Sequence, residues 1–194
     1  MANDVDQLQR TLIDLTEATG FNKLHSDTHR SHTMWPRKDE DTRQALYGFS
    51  DTLDDAAAAI LGYTFSEWPH DSRQQILLIY GCLQALFIQQ DSVKFLTDYA
   101  GIEFKPDGGA IAMIRSVRNS IAGHPHPEMK RGRHRATFLH LGYLSKEEWK
   151  FTSDKRRKFR PIEAATEQAL QLRPILESAV SRIYEDWGHV FDST

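Results

Sequence analysis

Apolar residues recur at every third or fourth position in five separated stretches of this chain. That period matches a helix and not a strand, so a helical fold is expected. In the first stretch, about Val5 to Thr19, Val5, Leu8, Leu12 and Leu15 form one stripe, and Gly20 follows as a stop. A second helix is expected from Asp39 to Leu61, with Ala45, Leu46, Phe49, Leu53, Ala57, Ala58 and Ile60 inward and Gly62 at its end. The third, about Asp71 to Tyr99, is the longest and most apolar; Ile76, Ile79, Leu83, Leu86 and Phe87 mark the centre of the core. Asp107-Gly108-Gly109 starts the fourth, with Asp107 suited to N-capping and Ile111, Ile114, Val117 and Ile121 on one face. Pro161 opens the last, roughly Ile162 to Tyr184, whose apolar face is Ala165, Ala169, Leu172, Ile175, Leu176 and Val180. Pro174 interrupts that face and is a candidate kink. The polar stretch from Phe21 to Lys38, broken by Pro36, reads as a loop in which His25, His29 and His32 are surface residues.

The period changes beyond Pro127. Ala136 to Leu141 and Trp149 to Thr152 are short, aromatic and β-branched, with the polar Ser145-Lys146-Glu147-Glu148 between them. They read as a β-hairpin inserted before the last helix of an otherwise all-α bundle. At 194 residues, the chain is expected to be one domain, 1–194, with residues 128–160 as a basic insertion. Those residues hold 11 Lys or Arg against 4 Asp or Glu, a surplus of seven positive charges in a chain whose net charge is −3. Such asymmetry fits either a polyanionic partner or a solvated basic excursion.

Cys82 is the single cysteine, which excludes an internal disulfide and suits a reducing interior. In the middle of an apolar helix it reads as a small core residue and not a nucleophile. No apolar run approaches the roughly 20 residues needed to cross a bilayer. The acidic start, Met1 to Asp6, lacks the basic-then-apolar pattern of a signal peptide. A cytoplasmic protein without membrane association is expected.

Chemistry concentrates in Arg118-Asn119-Ser120-Ile121-Ala122-Gly123-His124-Pro125. A permanent cation is followed six residues later by the side chain that titrates near neutrality. On a helix their α-carbons would lie about 9 Å apart along the axis, close enough to reach one phosphate or carboxylate together. The run from Arg115 to Asn119, followed by Gly123-His124-Pro125, resembles the Arg-(four to six residues)-His signature of the HEPN family. Asn119 matches the polar residue often found at that family's first variable position. Tyr80 to Asp91 resembles the long helix that precedes the motif helix in some bacterial members, so the likeness covers roughly Ser72 to His124 and extends to the final helix.

The resemblance implies a HEPN-like helical bundle and a metal-independent endoribonuclease. It implies that Arg118, Asn119 and His124 are catalytic and that a homodimer brings two motif copies around one cleft. No cofactor is expected. It further implies a toxin–antitoxin or antiviral setting, with an antitoxin or regulatory protein as a partner. Some family toxins carry a modifiable Tyr two residues after the motif His; His126 stands there in this chain.

The neighbouring residues carry open alternatives. Arg115 is either a second phosphate contact or the ion-pair partner of Asp91 or another carboxylate. Gln84, Gln90 and Asp91 either orient Arg118 or form an exposed face or buried hydrogen-bond network. Lys130, Arg131 and Arg133, with Arg135 and the run Lys155 to Lys158, could neutralise an RNA backbone while Trp149 and Phe151 stack on unpaired bases. The alternative is that those aromatics cover the core and the cations solvate a hairpin tip. His124, His126, His134 and His140 invite comparison with a metal site, but a structural zinc site would ordinarily add cysteines or tightly spaced pairs. No metal is expected.

Overall fold

The computed structural model describes residues 2–19, 40–106, 108–121, 138–139, 144–152 and 156–191. Among them are five helices: α1 (Ala2–Glu17), α2 (Glu40–Phe65), α3 (Ser72–Tyr99), α4 (Gly109–Ile121) and α5 (Pro161–Phe191). Three short strands, β1 (Phe138–Leu139), β2 (Trp149–Thr152) and β3 (Arg156–Phe159), precede α5. α1 packs on α2 and α5, α2 on α3, and α3 on α5, so four helices close a ring. α4 lies against both α3 and α5.

Most residues of the predicted stripes face inward, but Ala58 of α2 is exposed. Leu8, Leu12 and Leu15 of α1 are buried against this core, as are Leu83 and Leu86 of α3 and Leu172 and Leu176 of α5. Each such side chain contributes about 1.5–3 kcal/mol on burial, which anchors α1 despite its polar remainder. Within α3, Ile79 is also fully buried, whereas Ile76 and Phe87 lie half-buried at the margin of the core.

Local chemistry sets the helix ends. The Asp71 carboxylate accepts from the Arg73 N–H at 2.9 Å and caps α3; that bond holds the Asp71 carboxyl below its ordinary range. At the other end Gly101 takes φ 67°, Ile102 N–H reaches the Thr97 carbonyl and Gly101 N–H the Asp98 carbonyl. This is a Schellman stop, and it needs a residue free to turn left-handed. The expected cap Asp107 lies outside the described residues.

Gly62 does not end α2, which continues to Phe65. Tyr63 is buried there, its ring edge-on to Trp149 at 5.8 Å. A helical glycine costs about 1 kcal/mol relative to alanine, less than burial of a large ring returns. Pro174, the candidate kink, sits at an exposed position of α5, which runs through it.

The insertion is a three-stranded antiparallel sheet in the order β1-β2-β3, one strand more than expected. Phe138 pairs with Thr152 and Leu139 with Phe151, while Trp149 pairs with Phe159 and Lys150 with Lys158. Alternation places Trp149, Phe151 and Phe159 in the core, with Lys158 exposed and Lys150 part-exposed. The Trp149 indole N–H donates to the Tyr63 hydroxyl at 3.0 Å, which donates to the Lys146 carbonyl at 2.8 Å. Lys146 Nζ in turn donates to the Ser66 carbonyl at 2.6 Å, so the sheet is fastened to the end of α2.

Candidate functional site

The site is built on the contact between α3 and α4. Ile111, Ile114 and Val117 bury one face of α4, which sets Arg115 and Arg118 along its flank toward α3. Both guanidinium groups lie over the ring of Phe87, with their central carbons 4.8 Å and 4.5 Å from its centroid. Each contact is worth about 0.5–1 kcal/mol at a part-exposed position, and together they fix two cations on one platform.

The two arginines differ in how their charge is met. Arg115 Nη2 donates to Asp91 Oδ1 at 3.1 Å, forming an ion pair. Arg118 Nη2 donates to Gln84 Oε1 at 3.4 Å and Nη1 to Asn119 Oδ1 at 3.3 Å. Those partners are neutral amides, and among the described residues no carboxylate pairs with Arg118. The Nε atoms of both arginines are buried without a hydrogen-bond partner among the described residues. An arriving anion would therefore meet the terminal nitrogens, which suit two oxygens at once.

Glutamines from two other helices hold the start of α4. Gln171 Oε1 on α5 accepts from the Ile111 N–H at 3.3 Å, supplying from 60 residues away the kind of bond an N-cap makes. Its amide packs directly on Gly109, whose φ of 61° and missing Cβ make the approach possible. Gln90 Nε2 donates to the Ile111 carbonyl at 3.3 Å and to Gln168 Oε1. Gln168 Nε2 donates to the Leu86 carbonyl and to Gln89 Oε1, each at 2.9 Å. Gln89, Gln90 and Gln168 are all completely buried, so this network lies in the core and not at the surface.

The sequence-derived site residues therefore separate into three groups. Arg115, Arg118, Asn119, Gln84 and Asp91 come together around Phe87. Gln90 stands apart from Arg118, in the buried network at the other end of α4. His124, Lys130, Arg131 and Arg133 lie outside the described residues, as do Arg135 and the four histidines compared above with a metal site. Among the described residues, no group of three or more His, Cys, Asp or Glu is placed to hold a metal ion.

Two contributors were not legible as site residues. Phe87 reads as one more apolar position, and only the stacking of two arginines reveals it as a platform. Gln171 is one of two glutamines on α5, and nothing in the sequence points it at Gly109.

Elsewhere, the insertion's cations are partly met. Glu148 lies 3.8 Å from Lys150, 3.3 Å from Lys158 and 3.7 Å from Arg160, which offsets the Lys150–Lys158 cross-strand repulsion. A cavity of about 480 Å³ opens beside this cluster, lined by Asp4, Val5, Thr64, Arg160, Ile162 and Glu163 among others. Its Arg160 also pairs with Glu163 at 3.0 Å. Cys82 is buried in α3, and burial pushes its thiol up to about 12.

By length and composition α3 could cross a bilayer, contrary to the expectation from apolar runs; half of its most apolar window is buried in the bundle. No family model, curated protein or solved structure matches the chain.

Proposed function

We propose that this protein is a metal-independent endoribonuclease of HEPN type that acts as a homodimer. One observation carries the reading: Arg118 is pre-positioned on Phe87 by Gln84 and Asn119 while, among the described residues, no carboxylate neutralises it. A guanidinium held in place with its charge uncompensated is what a phosphate-stabilising group requires. The neighbouring Arg115 gives the contrast, because Asp91 already satisfies it.

In the proposed reaction, a ribose 2′-oxygen attacks the adjacent phosphorus and the bond to the 5′-oxygen breaks. The products are a 2′,3′-cyclic phosphate and a free 5′-hydroxyl. Arg118 bonds the non-bridging oxygens as negative charge accumulates on them. His124 takes the attacking proton or supplies one to the leaving oxygen. One imidazole does not readily serve both oxygens, so the second copy supplies the other. Asn119 orients the phosphate or the imidazole; Lys130, Arg131 and Arg133 contact flanking phosphates. An antitoxin or other regulatory protein would cover this cleft. A cytoplasmic setting follows from the same reading.

The alternative is a HEPN-like module that binds RNA or a protein partner without cutting. It is favoured by the hydrogen bonds that already hold Arg118 within its own chain. The test is incubation with a mixed-sequence RNA in chelator, comparing wild type with Arg118→Ala and His124→Ala. Loss of cutting in both variants with binding retained supports the enzyme. Binding by wild type without cutting supports the alternative.

A further inference from the structure

α3 packs against α2, α4 and α5, yet one line of its surface faces outward. Along its outer line, in steps of three or four, run Leu77, Tyr80, Gln84, Ile88, Asp91, Phe95 and Tyr99. Leu77 is 72% exposed, Tyr80 40%, and Phe95 and Tyr99 44% each. Four large side chains exposed along one line, with half-buried Ile88 and the polar Gln84 and Asp91 between them, mark a surface that something covers. This row also reads nearly the same from either end: apolar ends, an aromatic inside each, a polar residue inside each aromatic, and Ile88 at the centre.

We propose that the row is a self-association face, on which a second copy of the chain lays its own α3 antiparallel about a two-fold axis at Ile88. A near-palindrome is what an isologous contact needs, since residue i meets residue j and j meets i. Leu77 then meets Tyr99 of the second copy, Tyr80 meets Phe95, and the Gln84 amide meets the Asp91 carboxylate. The polar residues at mid-row argue for a protein partner over lipid, because Asp91, with Arg115 and Arg118 beside it, would be costly in hydrocarbon. The strip is roughly 33 Å long and about 15 Å wide, or on the order of 500 Å² per copy, the low end for a specific interface. A reversible dimer is expected, not an obligate one.

The geometry bears on the proposed function. For antiparallel helices packed face to face, the two-fold axis lies in the contact plane, across the helices, and so leaves both α4 helices on the same side. Arg118 touches Gln84, about one turn from the axis. Its symmetry mate would stand roughly 10 Å away along the helices in the same groove. A parallel pairing would put the two arginines on opposite sides. This pairing thus names the partner surface of the proposed dimer. It rests on the ribonuclease reading for its consequence alone, because the exposed row is a property of α3 whatever the reaction.

The test is thiol cross-linking of the full chain in oxidised glutathione, for which the buried Cys82 leaves a silent background. Ile88→Cys is expected to form a covalent dimer with itself. Leu77→Cys and Tyr99→Cys are each expected to stay uncoupled alone, about 33 Å from their own mates, and to couple when mixed. Leu77→Glu with Phe95→Glu is expected to weaken the wild-type dimer at least about tenfold in sedimentation equilibrium. Self-coupling of Leu77→Cys, no coupling of any variant, or a wild type that binds lipid vesicles in place of dimerising overturns the proposal. Cross-linking without RNA cleavage leaves the pairing standing and defeats the enzyme reading; cleavage without cross-linking does the reverse.

Discussion

Replacing Gly109 by alanine tests how α4 is held, and through it how the arginines are placed. The added Cβ would lie 2.0 Å from Gln171 Nε2, so the amide must swing away and give up its bond to the Ile111 N–H. That bond is worth about 0.5–1.5 kcal/mol. The φ of 61° adds about 1–2 kcal/mol of left-handed strain for a residue with a Cβ. Together they give a destabilisation of about 1.5–3.5 kcal/mol, or roughly 3–14 °C in Tm for a chain of this size. Gln171→Ala alone loses only the bond and is expected to cost about 1 kcal/mol. The double variant is the decisive member of the cycle. Once Gly109→Ala has displaced Gln171, truncating Gln171 removes nothing further, so the double cost should fall about 1 kcal/mol short of the sum. Urea unfolding of the four proteins measures this directly. Strict additivity would refute the claim that the two residues act as one clamp.

Other outcomes follow from the same packing. Trp149→Phe keeps most of the ring but removes the donor to the Tyr63 hydroxyl, and is expected to cost about 1–3 kcal/mol; Trp149→Ala should cost about 3–5 kcal/mol in denaturant titrations. Cys82 should resist a thiol reagent until the chain unfolds. Burial raises the Cys82 thiol from 9.0 to about 12 and raises the Tyr63 phenol as well. The unfolded chain therefore loses these protons first, and stability is intact below pH 9 and declines from there toward 12. Cys82→Ala should flatten part of that decline in urea midpoints taken from pH 8 to 11. Arg173 bridges Asp14 of α1 at 3.0 Å while part-exposed, so Arg173→Ala should lower the urea midpoint only slightly, and less in high salt.

Much of the bundle was readable because helices announce themselves through spacing. The stripe Leu8, Leu12, Leu15 and the run Ile79, Leu83, Leu86 face the core as their periods require. What escaped depended on contacts distant in sequence. Gly62 looks like a helix end until the buried Tyr63 is known to carry the sheet's hydrogen bonds. β3 was hidden because Arg156-Arg157-Lys158 looks like a solvated tip; only Phe159, buried against Trp149 at 5.0 Å, shows its inner face. The rivalry between orienting and network roles for Gln84, Gln90 and Asp91 splits by residue: Gln84 and Asp91 lie on the flank facing the two arginines, while Gln90, next to Asp91 but turned about 100° around the helix, faces Gln168 in the core. Arg115 and Asp91 form the ion pair that was one of two options for that arginine. The sequence assigns Phe87 to α3 but not to the site, since an aromatic that packs and one that stacks cations are spelled alike.

The central proposal is that Arg118 stabilises a phosphate under attack by its own ribose, and product ends test this most directly. An RNA should be digested in chelator and its fragments identified by mass. The expected fragments end in 2′,3′-cyclic phosphate and begin with 5′-hydroxyl, and a single 2′-deoxy substitution at the cut position abolishes that cut. Arg118→Ala should leave the RNA intact. Fragments bearing 5′-phosphate, a cut that survives the 2′-deoxy substitution, or undiminished cutting by Arg118→Ala would contradict it.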